Sequence, residues 1–595
     1  MPGLRHIFMA HGVDRLHSEE PTRISAAIFA AKAAVLRCVR FATDLRAPLH
    51  TLAAGKLTDY PLLLTETRSP LWTAESSVEQ SLQLGKVQNL RRACSRLHLV
   101  EVPANQLFSF WQQIGKATKS EGYATGRELR QGCLIPTVGG GLCQLSNALY
   151  DIALRTGCEI VERHAHTAAV PGSAAAQGRD ATIFWNYVDL RFRPEQDILI
   201  TARLSRDELI ITFRGKHGLL RMNEHRPAGR PSIRINTCTD CAVESCFRNV
   251  KAKNSISAGN AAFLIEECWP EFEEFAQQTR RDADELFLPM HSNFLQRQRY
   301  NWNCDGYSRI VAATLPTVLS SAKTRAGEFR NLPPIAVQLE RSQKLAEYYG
   351  KRLSMKTSHL YVAQSLLPFL WRRGDLGGRE FRVFMTRMPL RALHRRLDDL
   401  AARFPERKTF QEFRAPAWMV EAEAEALEHA ESIITPHSFL AGMFPRKTTR
   451  LAWKLPKVAH RHQPGSCIVF PGPAVARKGA YELREALQGS LQKLVVLGSL
   501  LESGKFWEGC TLAQAAPDWL DQAAVVVQPA FVENAPRPLL RSLAAGIPVI
   551  ASPECGIEKH QKLMLVPAGD TVALRDALAR VLASRRDRAK VQIMG

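Results

Sequence analysis

The spacing of apolar positions changes along the chain, and the changes outline its organisation. Over 24–40 (ISAAIFAAKAAVLRCVR) the pattern is helical, with Ile24, Ile28, Ala31, Val35 and Cys38 near one face and Lys32, Arg37 and Arg40 elsewhere. Such a helix either packs on its own domain, the commoner outcome, or lies on an anionic membrane. From about Glu101 the text becomes short strands and turns around one clear helix, closing with two strand-like runs, Ile198–Leu204 and Glu208–Phe213. A stretch rich in Pro, Gly and Arg over 224–234 then reads as a linker. After about Ala261, apolar runs such as Leu360–Gln364 and Ile433–Thr435 alternate with long helical stretches. Past Lys457 the alternation is cleaner: Cys467–Phe470, Leu494–Gly498, Ala523–Gln528 and Pro548–Ser552 each meet a turn and then a helix. Strand, turn and helix in repetition predict a parallel sheet covered on both faces.

These changes predict a multidomain α/β chain. A helical extension is expected over 1–74, an α+β domain over 75–218, a linker over 219–260, and two Rossmann-like domains over 261–457 and 458–595. The length of 595 residues agrees, since a single core rarely grows so large.

Composition adds class and partners. With 45% hydrophobic and 23% charged residues the chain is of ordinary globular type. A formal charge of +21 favours anionic partners such as nucleotide diphosphates and acidic lipid headgroups. The basic residues are dispersed and no base-reading motif occurs, so nucleic acid is not an expected partner. The amino terminus lacks the order of a secretory leader, and no run approaches the roughly 20 apolar residues that span a bilayer. The expectation is a cytoplasmic protein, peripheral at the inner face of the membrane. Thirteen cysteines without a disulfide pattern suit a reducing compartment.

The densest chemistry in the first third is Gly139-Gly140-Gly141-Leu142-Cys143, which runs into a helix carrying the cysteine in its first turn. Unpaired N–H groups at a helix amino terminus stabilise a thiolate there. Downstream lie Arg163, His164 and His166, then Arg179 and Asp180. Cys143 as nucleophile, His164 or His166 as base and Asp180 as orienting group would make a thiol acyl-transfer site. The competing reading is a buried cysteine beside a glycine turn, with Arg179 and Asp180 forming an internal ion pair. The segments GGGLCQLSNALYDIALRTG, VERHAHT, GRDATIFW and YVDLRF, with Phe108-Ser109-Phe110 and Gly115 upstream, resemble the VanW family over roughly Glu75 to Gly215. That family is associated with glycopeptide-resistance clusters and cell-envelope contexts, and the resemblance implies no particular reaction.

Cys238, Cys241 and Cys246 fall as Cys-x2-Cys-x4-Cys, close enough for one loop to bring three sulfurs around zinc or an iron–sulfur centre. Cys268 or Cys304 would supply a fourth ligand. Unligated linker thiols and a redox-labile pair are the alternatives.

In the last third a buried strand delivers Gly472 and then Arg477-Lys478-Gly479 to the start of a helix, which is the arrangement of a diphosphate site. Residues 528–552 (QPAFVENAPRPLLRSLAAGIPVIAS) then run strand, acidic loop, helix, glycine turn, strand. This run resembles the donor-binding signature of the family-4 retaining glycosyltransferases, and ALEHAESIITPHS resembles the end of that family's first Rossmann domain. The resemblance implies two Rossmann domains in a GT-B arrangement and metal-independent transfer in the cleft between them. The nucleotide-sugar donor is then held mainly by the second domain, through Gly472, Arg477, Lys478, Glu533, Asn534 and position 541. Glu533 also enters as the catalytic carboxylate, hydrogen-bonded to donor-sugar hydroxyls. One position departs from the family: a second Glu is usual eight residues after the first, and Arg541 stands there. Arginine accepts no hydrogen bond, so ribose recognition is rebuilt, the donor differs, or the domain no longer transfers sugar. The expected function is transfer of a sugar to a cell-envelope or surface glycan, or a lipid-linked acceptor. The alternative is a VanW-type, cysteine-dependent envelope protein whose transferase-like part only binds.

Overall fold

The computed structural model describes residues 23–46, 49–72, 77–130, 133–166, 177–218, 236–237, 259–291, 298–320, 334–412, 414–458, 465–499, 502 and 505–594. The chain forms two compact units. The first comprises Met1–Gly259 with Ser354–Ser358 and Arg373–Arg379, and the second comprises Asn260–Leu353, His359–Arg372 and Glu380–Gly595.

The first unit is α+β. Its main sheet is antiparallel and places Leu62–Pro70, Glu208–Gly215, Ile198–Leu204 and Val100–Val102 side by side in that order. Ile198–Leu204 is buried almost throughout, its run of Ile, Leu, Thr and Ala broken only by the half-buried Arg203. Leu62–Pro70 lies in the stretch expected to be a helical extension, and here that expectation is corrected. Its run of Thr, Leu and alternating charges suits a half-exposed strand, and Glu208–Gly215 supplies the partner. The helix Arg23–Arg46 holds to its own unit through Arg40 to Glu162 (2.5 Å), Arg191 to Asp44 (3.1 Å) and Arg37 to the Trp185 carbonyl (2.7 Å). The helix Ser77–Leu97 lies against the strand Thr125–Arg130 so closely that a Cβ at Gly85 would fall 1.8 Å from the Thr125 carbonyl oxygen. The linker expected over 219–260 falls almost wholly outside the described residues.

The second unit holds two parallel sheets. The first has seven strands in the order Arg309–Ala312, Glu285–Leu288, Asn260–Leu264, Thr357–Ala363, Glu380–Phe384, Ser432–Thr435, Thr448–Arg450. The other has six, in the order Thr511–Ala513, Lys493–Val496, Cys467–Phe470, Ala523–Gln528, Val549–Ala551, Leu563–Leu565. In each, chain order reverses beside the first strand, the topological switch point where open α/β sheets leave a crevice for ligands. The central strands Cys467–Phe470 and Ala523–Gln528 are fully buried, as expected of parallel strands covered on both faces. No helix among the described residues is long and apolar enough to cross a membrane.

Candidate functional site

In the first unit the glycine loop is fixed by contacts that only glycine permits. The Gly140 carbonyl accepts from Asn89 Nδ2 at 2.9 Å, and a Cβ at Gly126 would fall 2.3 Å from that same oxygen. Gly141 has φ +95°, and a Cβ there would fall 2.2 Å from Lys86 Cγ. This loop opens the helix Cys143–Arg155, so Cys143 is its first residue. One turn on, Ser146 Oγ donates to the Ala181 carbonyl (2.6 Å) and Asn147 Oδ1 accepts from the Ala181 N–H (2.8 Å). The helix thereby docks the loop that carries Asp180.

Asp180 is fully buried. Its Oδ2 takes the His166 backbone N–H at 2.6 Å and His166 Nδ1 at 2.7 Å, and its Oδ1 takes Arg163 at 2.8 Å. His166 is also hydrogen-bonded to the Cys143 thiol. With Nδ1 committed to the carboxylate, Nε2 is the nitrogen left for sulfur. Burial works against a charged imidazole, but the bonds to Asp180 and Cys143 outweigh it and lift His166 to about 9. Burial likewise opposes the Asp180 carboxylate, and His166 and Arg163 still hold its pKa below the ordinary value. Of the two candidate histidines, His166 meets Cys143 and Asp180, whereas His164 Nε2 lies 3.2 Å from Glu162. Arg179 pairs with Asp151 at 2.9 Å, so the Arg179–Asp180 ion pair of the competing reading does not form. Lys86 was not singled out from sequence, because nothing in its local text links it to the glycine loop.

Cys238, Cys241 and Cys246 lie outside the described residues. Among the described residues no cluster of His, Cys, Asp and Glu could hold a metal ion.

In the second unit the strand Cys467–Phe470 leads through Gly472 to a single 3-10 turn, Ala476–Lys478. Gly479 closes that turn in the left-handed region, φ +81°, where a Cβ would fall 2.3 Å from the Pro529 oxygen. The close approach lets the Arg477 carbonyl accept from the N–H groups of Phe531 (2.9 Å) and Val532 (3.1 Å), which stitches the basic turn to the acidic loop after the strand Ala523–Gln528. Lys478 Nζ then meets Glu533 Oε2 at 2.5 Å, Gln528 Nε2 donates to the same oxygen, and Oε1 caps the N–H groups of Asn534 (2.9 Å) and Ala535 (3.0 Å). Burial opposes the Glu533 charge, yet Lys478 and these donors hold its pKa below normal. Burial lowers Arg477, with Glu533 and Glu412 working the other way.

Groups of the seven-stranded sheet reach the same loop. His437, at the end of the strand Ser432–Thr435, is buried and bonds the Glu533 carbonyl through Nε2 at 2.9 Å. Its Nδ1 accepts from the Leu440 N–H, so Nε2 carries the proton, and burial pushes the ring down to about 4, leaving it neutral. Arg537 grips the buried Glu271 with two nitrogens at 2.8 and 2.7 Å, its guanidinium over Trp269 and Trp453. Phe531 and Val532 pack with Leu397, Leu400 and Phe410, an apolar wall along one flank of the acidic loop. Arg541, by contrast, reaches Asp518 at 3.7 Å and Trp519, and is half exposed. His437, Glu271 and Arg537 were missed from sequence because each is given its role by a partner in the other Rossmann sheet.

Residues 85–214 match the family described as VanW like protein, and residues 449–584 match Glycosyl transferases group 1. The chain thus joins a VanW-like segment to a group 1 glycosyl transferase segment. It is similar to the vancomycin B-type resistance protein VanW of Enterococcus faecalis, 34% identical over 140 residues, which are 23% of this chain and 51% of that protein. It is also similar to the putative teichuronic acid biosynthesis glycosyltransferase TuaC of Bacillus subtilis, 32% identical over 125 residues, 19% of this chain and 32% of that one. The chain spans about half or less of the length of these relatives. Among solved structures it is similar to a sucrose-phosphate synthase from Thermosynechococcus elongatus, with 15% identity, a TM-score of 0.34, and coverage of 55% of this chain and 90% of that one.

Proposed function

We propose that the chain is a retaining glycosyltransferase that moves a sugar from a nucleotide-sugar donor to a glycan or lipid-linked acceptor of the cell envelope. The observation that carries this reading is the meeting of Lys478 with Glu533, beside Arg477, at the carboxyl ends of two adjacent parallel strands. That is where ligands bind in open α/β sheets. A departing diphosphate needs a cation already in place, and a site walled by Phe531, Val532 and Phe410 strengthens that attraction by excluding water. When Lys478 turns to the diphosphate, Glu533 Oε2 is released to accept from donor-sugar hydroxyls, while Asn534 and Ala535 keep the carboxylate aimed. Lys478 and Glu533 are nearly buried in the structure described, so donor entry requires them to part and the contacts between the two sheets to loosen. The relatives named for teichuronic acid biosynthesis and for vancomycin resistance support the choice of an envelope acceptor. Exposed apolar side chains on the helix Arg23–Arg46 support peripheral contact with an anionic membrane.

The test is a thermal-shift screen of the full chain against uridine, guanosine and other nucleotide diphosphate sugars. A ligand that binds only the folded state raises the melting temperature. One donor is expected to do so and to be slowly hydrolysed, and Lys478→Ala is expected to lose both effects. A chain that responds to none of them is not a transferase of this class.

A further inference from the structure

The whole of the Cys143 constellation lies in the first unit, and the proposed sugar transfer makes no use of it. Its geometry has four elements. A thiol opens a helix, at its amino terminus, where the N–H groups of Gln144 and Leu145 already bond the Gly141 and Leu142 carbonyls at 3.1 and 3.0 Å and the helix end favours negative charge. An imidazole is bonded to that thiol, a fully buried carboxylate holds the other ring nitrogen at 2.7 Å, and an arginine holds the carboxylate in turn. A structural cysteine needs none of this. Other cysteines of the unit, Cys94 and Cys158, are buried among apolar groups that push their thiols up to about 12 and about 11. Cys143 is only partly covered, so a substrate can reach it.

A second feature bears on the substrate. Lys86 is buried to 4% exposure, with its stem against Gly141, two residues before the nucleophile. Among the described residues no carboxylate pairs with it, and burial together with Arg127 lowers its pKa to about 7. A buried ammonium without a counter-charge is costly in the empty protein and favourable once an anion arrives.

We infer that the first unit is a second active site, a cysteine amidase or acyl transferase with Cys143 as nucleophile, His166 as acid and base and Asp180 as orienting group. Its substrate is an amide or ester that also bears a carboxylate, held at Lys86. This inference does not depend on the sugar-transfer reading. In the first step the sulfur of Cys143 bonds to the acyl carbon, its proton having passed to His166, and the positive end of the helix dipole stabilises the resulting oxyanion. The carbon–nitrogen or carbon–oxygen bond then breaks, and His166 returns the proton to the departing amine or alcohol. Water, or an acceptor amine, gives its proton to His166 and attacks the thioester, whose carbon–sulfur bond breaks to release the acid or the new amide. Cys143 ends as it began, and no oxidant or metal enters.

The experiment is alkylation of the full-length protein at about pH 6, read by peptide mapping, with the exposed Cys38 of the same chain as the internal reference. An ordinary thiol, with a pKa near 8.5, is almost unreactive there. Cys143 is expected to react with iodoacetamide at least about tenfold faster than Cys38, and His166→Asn to bring it down to the Cys38 rate. Iodoacetate, which carries a carboxylate, is expected to be favoured over iodoacetamide in the native protein, with Lys86→Met removing that preference. A p-nitrophenyl ester should leave its acyl group on Cys143. If Cys143 in the unaltered protein labels no faster than Cys38, and its rate rises with pH as an ordinary thiol's does, the active-site assignment is wrong whatever the variants do. If Lys86→Met keeps the iodoacetate preference, the carboxylate is not held there.

Discussion

His437 Nε2 lies 2.9 Å from the carbonyl oxygen of Glu533 and donates to it, tying the last turn of the first Rossmann sheet to the acidic loop of the second. The ring is neutral by construction. Its Nδ1 is spent on the Leu440 N–H, and Gly556 passes so near that a Cβ there would fall 2.0 Å from that nitrogen. Protonation would place a second N–H at Nδ1 against the Leu440 N–H, so it is this acceptor, rather than the bond to Glu533, that charging the ring would cost.

This gives a pH dependence with a definite sign. His437 has a pKa of about 4 in the folded chain, down from 6.5, because burial opposes the charge. Between those values the unfolded chain binds the proton and the folded chain does not, so stability rises with pH across that window. The loss on acidification from about pH 7 to pH 4 should be roughly 3 kcal/mol. Denaturation measured across that range should show the limb, and His437→Gln, which keeps an N–H for the Glu533 carbonyl, should flatten it. A limb of unchanged slope in the variant would assign it to other groups.

Lys478→Met leaves the Glu533 carboxylate buried without its cation, a change that costs about 3 kcal/mol or more. Glu533→Gln removes the charge but keeps an acceptor for Asn534 and Ala535, so it should cost less stability than Lys478→Met. Both should lower transfer by about a hundredfold or more, since each removes charge placed for the leaving diphosphate or the sugar. Unequal losses of stability with equal losses of turnover are the expected pattern. Full activity in Glu533→Gln would remove that carboxylate from the chemistry.

The sheets were legible in the sequence because fully buried parallel strands such as Ala523–Gln528 and Cys467–Phe470 read as uninterrupted apolar runs between glycine and proline turns. The strand Leu62–Pro70 was not legible. Its text is half polar, and what makes it a strand is Glu208–Gly215, some 140 residues away. The same division holds at the sites. Cys143, Asp180, Lys478 and Glu533 sit in short local signatures, and the choice of His166 over His164 depends on one turn of loop that no spacing rule fixes. His437 and Glu271 carried no local signal, because a buried histidine after a strand and an acid in the first turn of a helix are commonplace until their partners are known.

The helix Arg23–Arg46 presents Ile24, Ile28, Val35, Val39, Phe41 and Leu45 to solvent, while Arg40 and Asp44 are used in ion pairs with their own unit. The net charge of +21 favours an anionic surface. The protein should cosediment with vesicles rich in phosphatidylglycerol at low salt, and Val35→Glu with Phe41→Glu should weaken that binding at least about fivefold. Because both side chains are exposed, the melting temperature should hardly change. No cosedimentation of the unaltered protein would rule out this surface as a membrane contact.

Arg541 stands where the resembled transferases carry a carboxylate for ribose hydroxyls, and its present partner Asp518 is an exposed surface group. An exposed pair of this kind contributes about 1 kcal/mol at most, so Arg541→Glu should leave stability nearly unchanged. Two charge-assisted hydrogen bonds to the ribose should then tighten nucleoside diphosphate binding about tenfold or more. Calorimetric titration of the variant with uridine diphosphate and guanosine diphosphate reads this directly. Unchanged affinity for both would mean that the ribose does not lie along the helix Arg537–Ala544.

Arg537 and Glu271 form a polar link between the loops of the two sheets. The pair is bidentate, Glu271 is fully buried, its Oε1 also takes the Lys454 N–H at 2.9 Å, and Arg537 is stacked on Trp269 and Trp453. Arg537→Met should cost about 3 kcal/mol, because the carboxylate keeps one N–H and loses its counter-charge in a place water does not reach. Arg537→Lys should fall in between: the charge is retained, but the forked geometry and the ring stacking are lost. Glu271→Gln keeps an acceptor and should cost less than Arg537→Met. The double variant Glu271→Gln, Arg537→Met should be less damaging than the sum of the two by at least about 1 kcal/mol, since the second change removes the charge that the first stranded. Urea denaturation of the four proteins closes the cycle. Additive losses would mean that the two side chains meet without mutual dependence, and the link between the sheets would then rest on other contacts, His437 with Glu533 and Arg407 with Glu482 among them.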